Sequence, residues 1–123
     1  MESKTGGDTI RTYRYYQNWG KYRGAAGCMI RFYLPRSDLT DTEDLSPASL
    51  RAWEACDRAF RSLSGMERQI VRAYYSESSD KTNRTPEPLR RVAETYGMDI
   101  DSVKRTVDKA IRMVVIGRGL ADE

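Results

Sequence analysis

Between Ser46 and Gly117 the chain carries helix-start and helix-stop signals in close succession, and that succession constrains its fold more than any other feature. Ser46 offers an N-cap hydroxyl, and Pro47 follows at the first helical position, where its missing N–H costs nothing. Leu50, Trp53, Cys56, Ala59, Phe60 and Leu63 then recur at steps of three and four, with Arg51, Glu54, Asp57, Arg58 and Arg61 on the other side. Ser64 and Glu67 form an S-x-x-E capping box that starts a second helix at once, with Met66, Ile70, Val71 and Tyr74 expected on its inner face. Ser76 to Arg84 (SESSDKTNR) is polar and rich in breakers and reads as a loop. Thr85 can cap the next helix, which tolerates Pro86 and Pro88 in its first turn and ends at Tyr96-Gly97, where glycine accepts the left-handed conformation. Asp99 caps a last helix running through Val103, Val107, Ala110, Ile111 and Val114 to a stop near Gly117. The predicted fold class is all-α.

The N-terminal part is less regular. Residues 1–9 have no periodicity and read as a disordered lead-in. From Ile10 aromatics crowd together, and Tyr15, Trp19 and Tyr22 fall at i, i+4, i+7, the spacing of one helical stripe. Gly20, Gly24 and Gly27 weaken that helix, and a strand with Cys28, Ile30, Phe32 and Leu34 on one face competes with it. Helix is the expectation. Pro35 closes the segment, and Arg36 to Leu45 is an acidic, Ser/Thr-rich connector. The organisation expected is thus a lead-in at 1–9, an aromatic-rich segment and connector at 10–45, a helical domain at 46–117, and a tail at 118–123.

Composition excludes several classes of function. The 123 residues are one domain's worth of chain, and 39% hydrophobic with 32% charged residues is compatible with a folded core. The longest apolar run is of the order of Met113 to Ile116, against the ~18–20 residues that cross a bilayer, so no membrane partner is expected. The start, MESKTGGDTI, lacks a secretory pattern, and a cytoplasmic location follows as an expectation. Histidine is absent and Cys28 and Cys56 form no C-x-x-C, which argues against zinc and leaves both cysteines as small packing residues or, less simply, a redox pair. Without histidine, a Gly-rich phosphate loop or G-x-S-x-G, neither an enzyme nor a cofactor is expected. The nearby carboxylates Asp99 and Asp101 are better explained as helix-start residues than as an acid–base pair. The net charge of +3 divides unevenly: residues 1–35 carry six basic and two acidic groups, 36–83 seven and nine, 84–118 eight and five, and the tail two acids. Both basic ends suit a polyanion, although solvated helix faces look similar.

The informative stretch is Leu89 to Val107, LRRVAETYGMDIDSVKRTV. A helix-turn-helix needs a small residue where its helices cross, a turn residue tolerant of positive φ, and apolar inner faces. Ala93 and Gly97 meet the first two needs, while Val92, Tyr96, Met98 and Val103 fill the inner positions; Thr106 departs from the pattern, though its methyl group permits partial burial. Two ordinary helices joined at a glycine would share these features.

The flanks add specificity. Leu63-Ser64-x-Met66-Glu67-Arg68-Gln69-Ile70-Val71-Arg72-x-Tyr74-Tyr75, Val92-Ala93-Glu94-x-Tyr96-Gly97-Met98, Ser102-Val103-Lys104-Arg105 and Lys109-Ala110-Ile111-Arg112 together resemble region 4 of bacterial sigma factors. The resemblance covers about the second half of the chain. It implies a sigma region 4-like helix-turn-helix without a winged element, as in the small sigma-like transcription regulators of phages and prophages. The chain departs from that pattern in the longer loop from Ser76 to Pro88, in Ile100 and Asp101 at early recognition positions, and in lacking a region 2 that melts promoters.

On this reading the last helix lies in the major groove of double-stranded DNA. Helical periodicity turns Asp101, Ser102, Lys104 and Arg105 outward as base readers, with Val103 and Val107 inward. Lys104 and Arg105 can donate to guanine, and Asp101 can accept from cytosine or simply serve the helix dipole. Arg84, Arg90, Arg91, Lys109 and Arg112 suit phosphate contacts, with a solvated surface charge as the competing reading of each. The N-terminal tyrosines, interleaved with Arg11, Arg14, Lys21 and Arg23, suit stacking on single-stranded bases or, better, packing in the core or across a homodimer interface. Two other roles stay open: a small terminase-like subunit recognising viral DNA, and an interaction module docking on RNA polymerase.

Overall fold

The computed structural model describes residues 19–39, 41–77 and 87–120. Those residues form five α-helices and one short 3₁₀ turn, with no strand among them. Helix α1 spans Trp19–Tyr33 and runs into the 3₁₀ turn Leu34–Arg36; α2 spans Pro47–Ser62, α3 Gly65–Glu77, α4 Glu87–Tyr96 and α5 Ile100–Gly117. The all-α expectation holds, and the ambiguous segment before Pro35 is helix rather than strand. None of the described helices is long and apolar enough to cross a membrane.

Capping chemistry explains most of the boundaries. The Ser46 hydroxyl accepts from the Ser49 N–H at 3.2 Å, with Pro47 opening α2. Ser64 and Glu67 exchange both capping-box bonds, Ser64 N–H to Glu67 Oε1 at 2.9 Å and Glu67 N–H to Ser64 Oγ at 3.1 Å, so only Leu63 and Ser64 separate α2 from α3. Arg68 reaches back from α3 and donates through Nε at 2.7 Å to the Phe60 carbonyl, which also accepts from the Leu63 N–H at 3.1 Å, so the last turn of α2 is tied to α3. Gly97 adopts φ +64, and the Met98 N–H closes on the Ala93 carbonyl at 3.0 Å, the wide bond of a left-handed C-terminal cap. The Asp99 carboxylate then accepts from the Ser102 N–H at 2.7 Å to open α5.

Helix α5 is the centre of the fold and packs against each of the other four helices. Val103, Val107, Ala110, Ile111, Val114 and Val115 are all fully buried along it. One apolar cluster joins this stripe to Ala26, Ile30 and Tyr33 of α1, Cys56, Ala59 and Phe60 of α2, Ile70, Val71, Tyr74 and Tyr75 of α3, and Val92 and Ala93 of α4. Burial of this kind contributes ~25 cal/mol per Å² of apolar surface and dominates the stability of a small domain. The α1–α2 corner is pinned by polar bonds as well: Tyr33 donates to Asp57 Oδ1 at 2.9 Å and Trp53 Nε1 donates to the Arg36 carbonyl at 2.8 Å.

Three expectations are corrected. Met66 does not join the inner face of α3: it is 57% exposed, and burial on that helix begins a turn later, at Ile70, Val71 and Tyr74. Cys28 is exposed rather than packed, while Cys56 is buried, and the two thiols are unpaired. Ser76 lies within α3, which continues to Glu77, so the first two residues of the expected loop are helical. The lead-in at 1–9, Tyr13, Tyr15, Tyr16, Arg11, Arg14, Arg84, the Thr85 cap and Pro86 lie outside the described residues, as does the end of the tail at 121–123.

Candidate nucleic-acid interface

The helices α4 and α5 meet through the connection Gly97–Asp99, and side-chain size governs how closely they approach. Ala93 is buried on α4 and Val103 on α5, with Val92 beside them; Tyr96 and Met98 are half-buried against the same cluster. Thr106 is half-buried too, and its hydroxyl donates back to the Ser102 carbonyl at 3.0 Å, so the one polar side chain at an inner position is satisfied within its own helix.

With one side of α5 committed to the core, the other carries its charge. Asp101, Lys104 and Arg105 are exposed in the first two turns, and Lys109 and Arg112 continue the charged face further along. Ser102 is only half-exposed: its N–H serves the Asp99 cap and its hydroxyl accepts from Arg105 Nη2 at 3.2 Å. The Ser102 N–H is also the main reason the Asp99 carboxylate is held below its ordinary range. Asp99 is therefore occupied as a cap, and the exposed donors nearest the start of α5 are Lys104 and Arg105.

Of the residues expected to meet phosphates, Arg90, Arg91, Lys109 and Arg112 are exposed, while Arg84 lies outside the described residues, and Arg90, Arg91 and Lys109 are already engaged with carboxylates. Arg90 pairs with Glu87 at 2.7 Å one turn earlier on α4, and Arg91 pairs with Glu77 of α3 at 3.1 Å. Lys109 Nζ sits 2.9 Å from Glu67 Oε2 at the start of α3. Exposed pairs of this sort are worth ~0–1 kcal/mol each and exchange readily for phosphate, yet each reduces the local positive field. The sequence reading gave no role to Glu77 and Glu87 and assigned Glu67 only to capping. Their i,i+3 and cross-helix positions supply part of a signal for Arg90, and none for Arg91 or Lys109.

Arg23 is a further residue whose position the sequence did not indicate. It lies on α1 and forms an ion pair with Asp108 of α5, which brings α1 alongside the charged face of α5. Burial opposes the Arg23 charge, but hydrogen bonds to Asp108 and Tyr74 outweigh it, so its pKa is raised. No group of His, Cys, Asp and Glu side chains suited to a metal ion occurs among the described residues. Comparison with protein-family models, curated proteins and solved structures returned no match.

Proposed function

We propose that this chain is a sequence-specific double-stranded DNA-binding regulator of transcription, with α4, Gly97–Asp99 and α5 acting as a sigma region 4-like helix-turn-helix. The observation that carries the reading is the exposure of Lys104 and Arg105 on the N-terminal half of α5, directly after a glycine-capped turn whose crossing residue Ala93 is buried. A helix of this kind enters the major groove with its first turns against the base edges, where Arg105 and Lys104 donate to guanine O6 and N7. Each good bidentate contact discriminates by ~1–3 kcal/mol. Arg90, Arg91, Lys109 and Arg112 then meet phosphates and set register rather than sequence.

The Lys109–Glu67 and Arg91–Glu77 pairs give this interface a particular character. Phosphates compete with carboxylates already in place, so the phosphate contribution to affinity is held down for every duplex and discrimination falls to the base contacts of Lys104 and Arg105. Selection of bound sites from random duplex DNA tests the reading. It predicts enrichment of a short guanine-containing element; recovery of no common element would contradict it.

A further inference from the structure

Helices α1 and α3 both pack against α5 but not closely against each other, and a cleft of about 280 Å³ opens between them. Its lining is Arg23, Gly24, Gly27, Cys28 and Arg31 from α1 with Tyr74 and Tyr75 from α3. Among the described residues the lining holds two guanidinium groups, two phenols and a thiol, and no carboxylate. Asp108, which pairs with Arg23, stands outside the lining and orients that guanidinium. The Arg31 guanidinium lies over the Tyr75 ring, 5.1 Å from its centroid.

Glycine keeps the floor open. A Cβ at Gly27 would stand 3.3 Å from Arg31 Nη1 and 3.9 Å from the Tyr75 hydroxyl, so these donors approach a backbone that carries no side chain. Burial raises the Tyr75 phenol further above its usual range, which keeps it an O–H donor at any physiological pH. A second cleft of about 490 Å³ shares Arg31 and Tyr75 with the first and adds Leu34, Pro35, Arg72 and Ser76. One space thus suits a compact oxyanion and the adjoining one a larger, partly apolar substituent.

We propose that the cleft between α1 and α3 binds a phosphate monoester, with Arg23, Arg31 and the Tyr75 hydroxyl on the phosphate and the ester substituent in the adjoining cleft beside Leu34 and Arg72. Paired guanidinium groups match phosphate oxygens in geometry as well as charge, and partial burial strengthens each bond relative to water. This site is separate from the exposed face of α5 and does not depend on the DNA-binding reading.

Cys28 supplies the test, because it is the exposed thiol and lines the cleft while Cys56 is buried. The rate of Cys28 modification by a thiol-specific disulfide reagent is measured on the full chain at constant ionic strength. The competing probes are inorganic phosphate, O-phosphoserine and adenosine monophosphate, with chloride as the reference. The proposal predicts saturable slowing by a phosphate ester, at a lower concentration than inorganic phosphate requires, and the better of the two esters identifies whether a phosphorylated side chain or a nucleotide fits. Arg31→Gln should raise the half-protecting concentration about tenfold or more. Gly27→Ala, which favours the helix and pushes a methyl group toward Arg31 Nη1, should weaken protection without unfolding the chain, as circular dichroism would verify. Saturation by inorganic phosphate alone would overturn the ester assignment. No saturable protection, an unreactive Cys28, or undiminished protection in folded Arg31→Gln and Gly27→Ala would overturn the site.

Discussion

Lys109 Nζ lies 2.9 Å from Glu67 Oε2, tying the middle of α5 to the first turn of α3. Glu67 does two tasks with its two oxygens, because Oε1 accepts from the Ser64 N–H while Oε2 meets the ammonium. Glutamine keeps the capping bond and loses the ion pair. Under the DNA-binding proposal, Glu67→Gln releases Lys109 and removes a negative charge beside the interface. It should therefore strengthen binding to all duplexes and steepen the salt dependence by up to about 0.9 in log–log slope. Binding isotherms over a salt series check this; unchanged affinity would remove Lys109 from the interface.

The same carboxylate makes stability depend on pH. The Ser64 N–H first, and Lys109 second, hold Glu67 below its ordinary value of 4.5, so the folded state prefers the charged form. Its contribution is present in full above that value and is lost as the pH falls through the lower folded pKa. Urea midpoints measured from about pH 6 to about pH 3 should therefore fall more in the wild type than in Glu67→Gln. Parallel curves would contradict this assignment.

Gly97 is left-handed at φ +64, and nothing stands within 4 Å of where its Cβ would be. Substitution there strains the backbone without causing a clash. Gly97→Ala should cost about 1–2 kcal/mol, and Gly97→Asn less, measured by chemical denaturation. An alanine variant as stable as the parent would show that the cap does not require this conformation.

The two cysteines should react unequally. Burial pushes the Cys56 thiol up to about 12, so it remains protonated and enclosed, whereas Cys28 is exposed. Titration with a thiol reagent should modify one group in the native chain and two in denaturant. Two fast-reacting thiols in the native state would contradict the placement of Cys56 in the core.

Much of this architecture is local and therefore legible. Ser46-Pro47, Ser64 with Glu67, Gly97 and Asp99 each act within four residues of themselves, and the structure ends or starts a helix at each. The α5 stripe is equally plain, because Val103, Val107, Ala110, Ile111 and Val114 repeat at helical spacing and all are buried. What the sequence left hidden depends on distant partners. Arg23 meets Asp108 across 85 positions and Lys109 meets Glu67 across 42, and no periodicity encodes such pairings. Met66 shows a different limit: its spacing from Ile70 suits an inner face, but whether anything covers it is set by the packing of other helices, and it is left exposed. Cys28 likewise sits on a helix whose buried side is set by Ala26, Ile30 and Tyr33, which turns its thiol toward the α1–α3 cleft.

The central claim is that α5 reads base edges while α4 holds phosphates, and a comparison of Arg105→Ala with Arg90→Ala tests it most directly. Affinities of both variants are measured against the selected element and single-base variants of it over a range of salt concentrations. Arg105→Ala should relax preference at one base pair by about 1–3 kcal/mol. Arg90→Ala should weaken all sequences alike and reduce the salt slope by about 0.9. Equal, salt-independent losses from both variants, or no loss from either, would contradict the account.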